Sequence, residues 1–264
     1  MEILNILEGF DLGALDALGA ERIHLEVEAK KLTFRDLHEK VADPEFEEIS
    51  IGELLSKEYA TALRERISFS HAGESLEPVL GSDTTYLCAV DAEGNGCSFI
   101  NSLYMNFGSG VVAGGTGVCL QNRGNSFRLR EGHPNSLAPG KRPLHTIIPG
   151  LATRDGELWA AFGVMGGSMQ PQGHVQLLSN LVDHDMSSQE AVDHPRHRHE
   201  GDALLVEGRV PETEIRKLRE MGHNVEVGAD YMVPAGGAQL IRVLQNGVRA
   251  CGSDPRKDGC ALAQ

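Results

Sequence analysis

The chain has 264 residues, 41% of them apolar and 23% charged, a globular composition with enough chain to bury a sizeable core. Its net charge of −14 and pI near 5.2 argue against a nucleic-acid or anionic-membrane surface. No apolar run approaches the roughly 18 residues that span a bilayer. The opening MEILNILEGFDLG shows neither a basic nor a continuous apolar region of a signal peptide. Five cysteines, an odd number without CxxC spacing, point to free thiols and a cytoplasmic protein.

Character changes near residue 83. Residues 1–83 hold 19 acids and 8 bases, net −11, whereas residues 84–264 hold 19 acids and 16 bases, net −3. The first part reads as mostly helical. Leu15, Leu18, Ile23, Leu25, Val27 and Ala29 lie among good helix formers, and Ile51, Leu54, Leu55, Tyr59, Leu63 and Ile67 approximate a second 3.6-residue period. Ser68 to Asp83, small, polar and broken by Pro78, reads as a linker. Residues 84–104 then read as a β-hairpin turning at AEGN. Glycines punctuate 108–117, and His133 to Pro149 is a Pro-rich surface excursion. Leu158 to Val164 suits a buried strand and Gln176 to Val182 a helix. Pro211 to Met221 is an amphipathic helix closed by Gly222, and the last strands turn at Asn246-Gly247. Strands grouped in hairpins among helices predict an α+β layered fold rather than a doubly wound one. The boundary near residue 83 divides the chain into 1–83 and 84–264.

Motifs for common chemistries are missing: there is no GxSxG, Walker loop, HExxH or GxGxxG opening a helix. His194, His197 and His199 invite a metal reading, but interleaved arginines and Pro195 favour a solvated, hydrogen-bonded loop, so no metal is expected. The informative segment is Ser82-Asp83-Thr84-Thr85, where the polar linker meets the first strand. A Thr-Thr pair there is also what β propensity alone would produce.

The ordered stretches ILNILEGFDL (3–12), Asp43-Pro44, TTYLCAVDAEGNGCSF (84–99) and FGSGVVAGGTGVCLQN (107–122) resemble the gamma-glutamyltranspeptidase family of N-terminal nucleophile hydrolases. PGKRPLHTIIP (139–149), GVMGGSMQPQGHVQ (163–176), the DHPRHRH block and Gly252 to Arg256 resemble it too. The resemblance implies an αββα four-layer sandwich that lacks the longer segment preceding the threonine in the family. The chain is therefore expected to be a truncated product, a partial frame or half of a split protein, pairing with the missing half or with itself. It further implies self-cleavage between Asp83 and Thr84, with Thr84 as nucleophile and, once released, its own α-amine as base, needing no cofactor. Gly166 and Gly167 would supply backbone N–H groups to the oxyanion, although GVMGGS also reads as an ordinary turn. Ser102 takes the place of a hydroxyl that hydrogen-bonds the nucleophile, or is simply a strand serine.

Departures from the family pattern fall on substrate recognition. The positions whose Gln and Asp hold the glutamyl α-amine carry Arg123 and Ser126; a pocket Asn becomes Tyr104, and two serines become His145 and Thr146. Losing a carboxylate and gaining a guanidinium turns an ammonium corner into an anion corner, unless Arg123 is a structural partner of some acid. The resemblance therefore leans toward the oxamate amidohydrolase-like and acylase-like branch, acting on a small amide. Glutathione hydrolysis and a non-catalytic remnant are the rival expectations.

Overall fold

The computed structural model describes residues 1–74 and 83–263, so residues 75–82 of the linker lie outside the described residues. The helical first part comprises α1 (Glu2–Leu7), α2 (Ala20–Lys40), α3 (Ile51–Leu54) and α4 (Lys57–Arg64). Leu15 and Leu18 fall before the long helix, which begins after Gly19. The second helical stretch is two helices instead of one. Ser56 accepts a 3.1 Å hydrogen bond from Tyr59 N, and this cap starts a new helix at Lys57, shortly after the first ends at Leu54.

Helix α2 is enclosed on most sides. Leu25 and Ala29 pack with Ile3, Ile6, Ala60 and Leu63, whereas Ala20, Ile23 and Val27 pack with Leu204, Val206, Ile215 and Leu218. Its charges are consequently buried as well and must be paired. Arg22 meets Glu26 at 3.1 Å, and Lys31 meets Glu28 at 2.8 Å.

The hairpin reads as expected, with β1 (Asp83–Val90) antiparallel to β2 (Gly96–Tyr104). Period-two alternation turns Tyr86, Ile100 and Tyr104 inward and leaves Leu87 and Phe99 about half exposed. The next sheet has the order β3-β4-β8-β9, from Gly150–Arg154, Glu157–Met165, Gly237–Val243 and Arg249–Ser253. The hairpin packs on one of its faces. Gly163 permits the approach, because a Cβ there would lie 2.4 Å from the Tyr86 ring. On the other face, α5 (Met169–Val182) and α6 (Ser188–Asp193) cover Ala160, Phe162, Val164, Ala238 and Leu240.

Helix, sheet and sheet are three successive layers of an αββα sandwich. Among the described residues, no helix makes more than marginal contact with β1 or β2. No described helix is long and apolar enough to cross a membrane.

The remaining sheet corrects two expectations. β5 (His197–Glu200), β6 (Ala203–Val206) and β7 (Asn224–Val227) form it, with β6 and β7 parallel across α7 (Glu212–Glu220). Not every strand therefore belongs to a hairpin. The DHPRHRH block is also no solvated loop: His197 and His199 are buried in β5. The free edge of β5 is paired by side chains of α5 in place of a further strand. Gln176 accepts from His197 N at 3.3 Å and donates to His197 O at 2.9 Å, and Gln172 does the same for His199 at 2.8 and 3.2 Å. One helical turn separates the two glutamines, close to the rise of two strand residues.

Candidate active site

Thr84 is the second residue of β1 and lies opposite Ser102 of β2. Its hydroxyl donates to Ser102 Oγ at 3.0 Å, and the same oxygen accepts Tyr104 N at 3.0 Å. Tyr104 is buried and holds a positive φ of 79°, so this hydrogen bond braces a strained strand end. Thr84 and Met165 share the wall of a cleft of about 460 Å³ with Cys88, Ile241, Cys251 and Cys260. Gly166 and Gly167 follow Met165 directly in the chain. All five cysteines are free, and burial pushes the Cys88 thiol up to about 11, an inert state.

Gly166 and Gly167 form the turn between β4 and α5. Their φ values are 128° and 62°, and a Cβ on Gly166 would come within 3.1 Å of Gly236 Cα. Met169 N donates to Gly166 O at 3.1 Å and Gln170 N to Gly167 O at 3.0 Å. Because a trans peptide sets its N–H opposite its C=O, the N–H groups of Gly167 and Ser168 point away from the helix. Neither donates to a described residue.

Arg123 joins this region from an irregular segment. It is 5% exposed, its Nη1 donates to Thr146 Oγ1 at 2.8 Å, and its Nη2 lies 3.5 Å from Ser102 O. The guanidinium carbon sits 5.5 Å from the Tyr104 ring centroid. No described carboxylate forms an ion pair with it, and burial lowers its pKa. His145 is exposed overall, yet partial desolvation of its ring and the nearby Arg123 charge hold its pKa below the usual imidazole range. Ser126 Oγ lies 2.9 Å from Arg123 O and 3.0 Å from Leu144 O, so its single proton is spent on the loop backbone. Arg123, Tyr104, Thr146 and Ser102 are thus brought together. Ser126 braces the loop that carries Arg123.

Residues outside the sequence-based set support the site. Gln170, fully buried, accepts Ile148 N at 3.2 Å and ties α5 to the segment bearing His145 and Thr146. Ser168, Arg198 and Glu200 cluster immediately beyond the glycine pair. Gln170 and Ser168 lie in the GVMGGSMQPQGHVQ block and Arg198 in DHPRHRH, with Glu200 just past its end, and no spacing rule connects the two blocks.

His24, Glu28 and His223 converge their ligand atoms within 4.8 Å, all buried. His24 Nδ1 and His223 Nε2 are already hydrogen-bonded at 2.8 Å, and Glu28 serves Lys31 and Gly73 N. Through Ser68 O and Gly73 N, that cluster ties the start of the linker to the body of the protein.

The Gamma-glutamyltranspeptidase family model matches residues 1–264. Among curated proteins, the glutathione hydrolase-like YwrD proenzyme of Bacillus subtilis (strain 168) is 41% identical, over 98% of this chain and 50% of its own. The oxamate amidohydrolase proenzyme of Klebsiella pneumoniae is 37% identical over 99% of this chain and 50% of its own. The structure of cephalosporin acylase from Bacillus halodurans superposes with a TM-score of 0.89 at 42% identity, covering 100% of this chain and 48% of that one. A gamma-glutamyltranspeptidase chain from Pseudomonas nitroreducens gives 0.61 at 30% identity, covering 68% of this chain and 98% of that one. The chain spans about half the length of the curated relatives it matches. With its whole length matched by the family model and relatives well above 30% identity, this chain belongs to the gamma-glutamyltranspeptidase family.

Proposed function

We propose that this chain carries the threonine-nucleophile site of an amidohydrolase or acyltransferase that cuts itself between Asp83 and Thr84. Its preferred acyl group bears negative charge and lacks a free α-amine. The observation that carries the preference is Arg123: a buried guanidinium beside Ser102 and Thr146 with no described acid to balance it. A desolvated cation needs an anion, and a bound acyl carboxylate supplies one.

In the reaction, the released α-amine of Thr84 takes the hydroxyl proton as Oγ1 attacks the amide carbon. The oxyanion is met by N–H groups of the Gly166-Gly167 turn, the departing amine takes the proton, and water then cleaves the ester. Ser102 orients the attacking oxygen. Support for the cut comes from the Pseudomonas nitroreducens chain, matched over 98% of its length by 68% of this one; residues 84–264 are 181 of 264. The half-exposed Leu87 and Phe99 on the outer hairpin face suit cover by a further segment of the family's longer chain. Light scattering on the chain alone tests that partner; a compact, non-associating monomer would count against it.

The function is tested by intact mass of the purified chain, which should reveal a fragment starting at Thr84. Glutathione hydrolysis is the second reading, favoured by the name of the Escherichia coli relative, 31% identical. A γ-glutamyl anilide separates the two when compared with an anilide whose acyl chain keeps the carboxylate and lacks the amine.

A further inference from the structure

We propose that Arg198 and Glu200 of β5, acting through the Ser168 hydroxyl, are the positioning device that fixes the Gly166-Gly167 turn. The inference rests on reading that turn as the oxyanion-binding element. Ser168 is the residue immediately before α5, a place where a serine hydroxyl normally accepts a first-turn amide. Here it makes no such bond. The side chain is drawn sideways instead, into a closed triangle: Ser168 Oγ donates to Glu200 Oε2, Arg198 Nη2 donates to Ser168 Oγ at 3.0 Å, and the same Nη2 meets Glu200 at 2.9 Å. Ser168 is 3% exposed while the Arg198 and Glu200 side chains are 16% and 25% exposed, so these charge-assisted bonds are partly shielded from water.

Arg198 also reaches the opposite side of the turn. Its Nη1 donates to Pro234 O at 3.2 Å, in the 233–235 turn that leads to Gly236, whose Cα would lie 3.1 Å from a Cβ added to Gly166. One guanidinium therefore holds the chain after the glycine pair and the backbone beside it. Residues 198 and 200 can share this task because alternate strand residues point to one face. The strand cannot shift, since Gln172 and Gln176 lock its backbone to α5, the helix that follows the turn. Two adjacent glycines have no side chains with which to fix their own conformation and pay the largest entropy to be ordered. Neighbouring groups supply that order.

The test uses the full chain with Ser168→Ala, Glu200→Gln and the conservative Ser168→Thr. Hydrogen exchange of residues 165–170 should quicken by about 10-fold in the first two variants and remain near wild type in the third, with residues 175–182 unchanged. Self-cleavage at Asp83–Thr84 should slow by about 10- to 100-fold in the first two, the scale expected of small misplacements, and Ser168→Thr should restore it. Exchange unaltered by both Ser168→Ala and Glu200→Gln overturns the inference, as does faster exchange with undiminished self-cleavage. A wild-type chain that never cuts itself removes the reading of Thr84; exchange alone then decides whether Arg198 and Glu200 hold the turn.

Discussion

Thr84 donates its hydroxyl hydrogen to Ser102 Oγ across the first non-terminal pair of the hairpin, at 3.0 Å. Direct cross-strand pairing, not a flexible loop, sets this distance, so the Thr84 hydroxyl is held in a fixed orientation, as the proposed role of nucleophile requires. Thr84→Ala should stay uncut under all conditions, read by intact mass. Ser102→Ala should slow self-cleavage by roughly 10- to 100-fold and also strand the Tyr104 N–H, at a cost of about 1–3 kcal/mol. Ser102→Thr should retain most of the rate. A cut Thr84→Ala chain would place the nucleophile elsewhere.

Arg123 should decide acyl preference. With the cleaved protein, kcat/KM for a carboxylate-bearing acyl anilide without the amine should exceed that for the γ-glutamyl anilide. Arg123→Gln should cost the former about 30-fold or more, the lower end of losing a desolvated charge partner. Ser126→Asp added to Arg123→Gln should move the ratio further toward the glutamyl compound only if the new carboxylate escapes the loop carbonyls that hold the serine. A wild-type preference for the γ-glutamyl anilide would restore glutathione hydrolysis as the first reading.

Stability should fall as pH drops below about 6.5. Burial lowers the imidazoles of His174, His197 and His223 to about 3 and that of His194 to about 4, and lowers His199 too. Between those values and the unfolded value near 6.5, the unfolded chain binds more protons, each group adding a slope of up to about 1.4 kcal/mol per pH unit. Glu2 and Glu26, raised by burial, work in the opposite sense, but five imidazoles outweigh two carboxyls. Melting temperature measured from pH 7.5 to 4.5 should drop steeply at the acid end; a flat or rising profile would refute this balance.

Glu207 should be among the costliest residues to remove. Its carboxylate meets Arg256 Nε and Nη2, both at 2.6 Å, Arg209 at 2.7 Å, and the backbone N–H of Arg196 and Met232 at 3.1 and 3.0 Å. The Glu207 and Arg256 side chains are 0% exposed. Glu207→Ala leaves Arg256 Nε and two backbone amides without their acceptor, although Arg256 keeps Asp254 at 3.0 Å; breaking such a buried pair costs about 3–5 kcal/mol and should lower the denaturation midpoint accordingly. Glu207→Gln keeps the volume and one accepting oxygen but turns an NH2 group toward N–H donors, so it should cost less than alanine while still destabilising.

Much of the local structure was legible. The hairpin at 84–104 followed from β-rich segments around AEGN, and α7 from Pro211 and Gly222, the latter at φ 91°. The helical first part was legible too, though Ser56 split a stretch whose apolar period ran on unbroken, because a cap acts through one hydroxyl that hydropathy does not register. The histidine block misled for a related reason. Charged and polar residues read as solvated, yet strand alternation and the glutamines of α5 bury His197 and His199.

The sequence by itself determined the chemistry on offer: a Thr-Thr strand start after a polar linker, a glycine pair before a helix, and an arginine where relatives of the named pattern hold an amine-binding residue. These are local, and the resemblance to the family's motifs is what marks them, since by residue type alone the Thr-Thr pair is also plain β propensity and the glycine pair an ordinary turn. Which of them meet was decided only by the tertiary structure. Ser102 reaches Thr84 through strand register, and Arg123 reaches Ser102 and Thr146 through a loop that no periodicity describes. Arg198 and Glu200, some 30 residues beyond Ser168, reach it because α5 and β5 pack side by side. Contacts between distant segments depend on how whole faces bury one another, and a linear pattern carries no record of which faces those are.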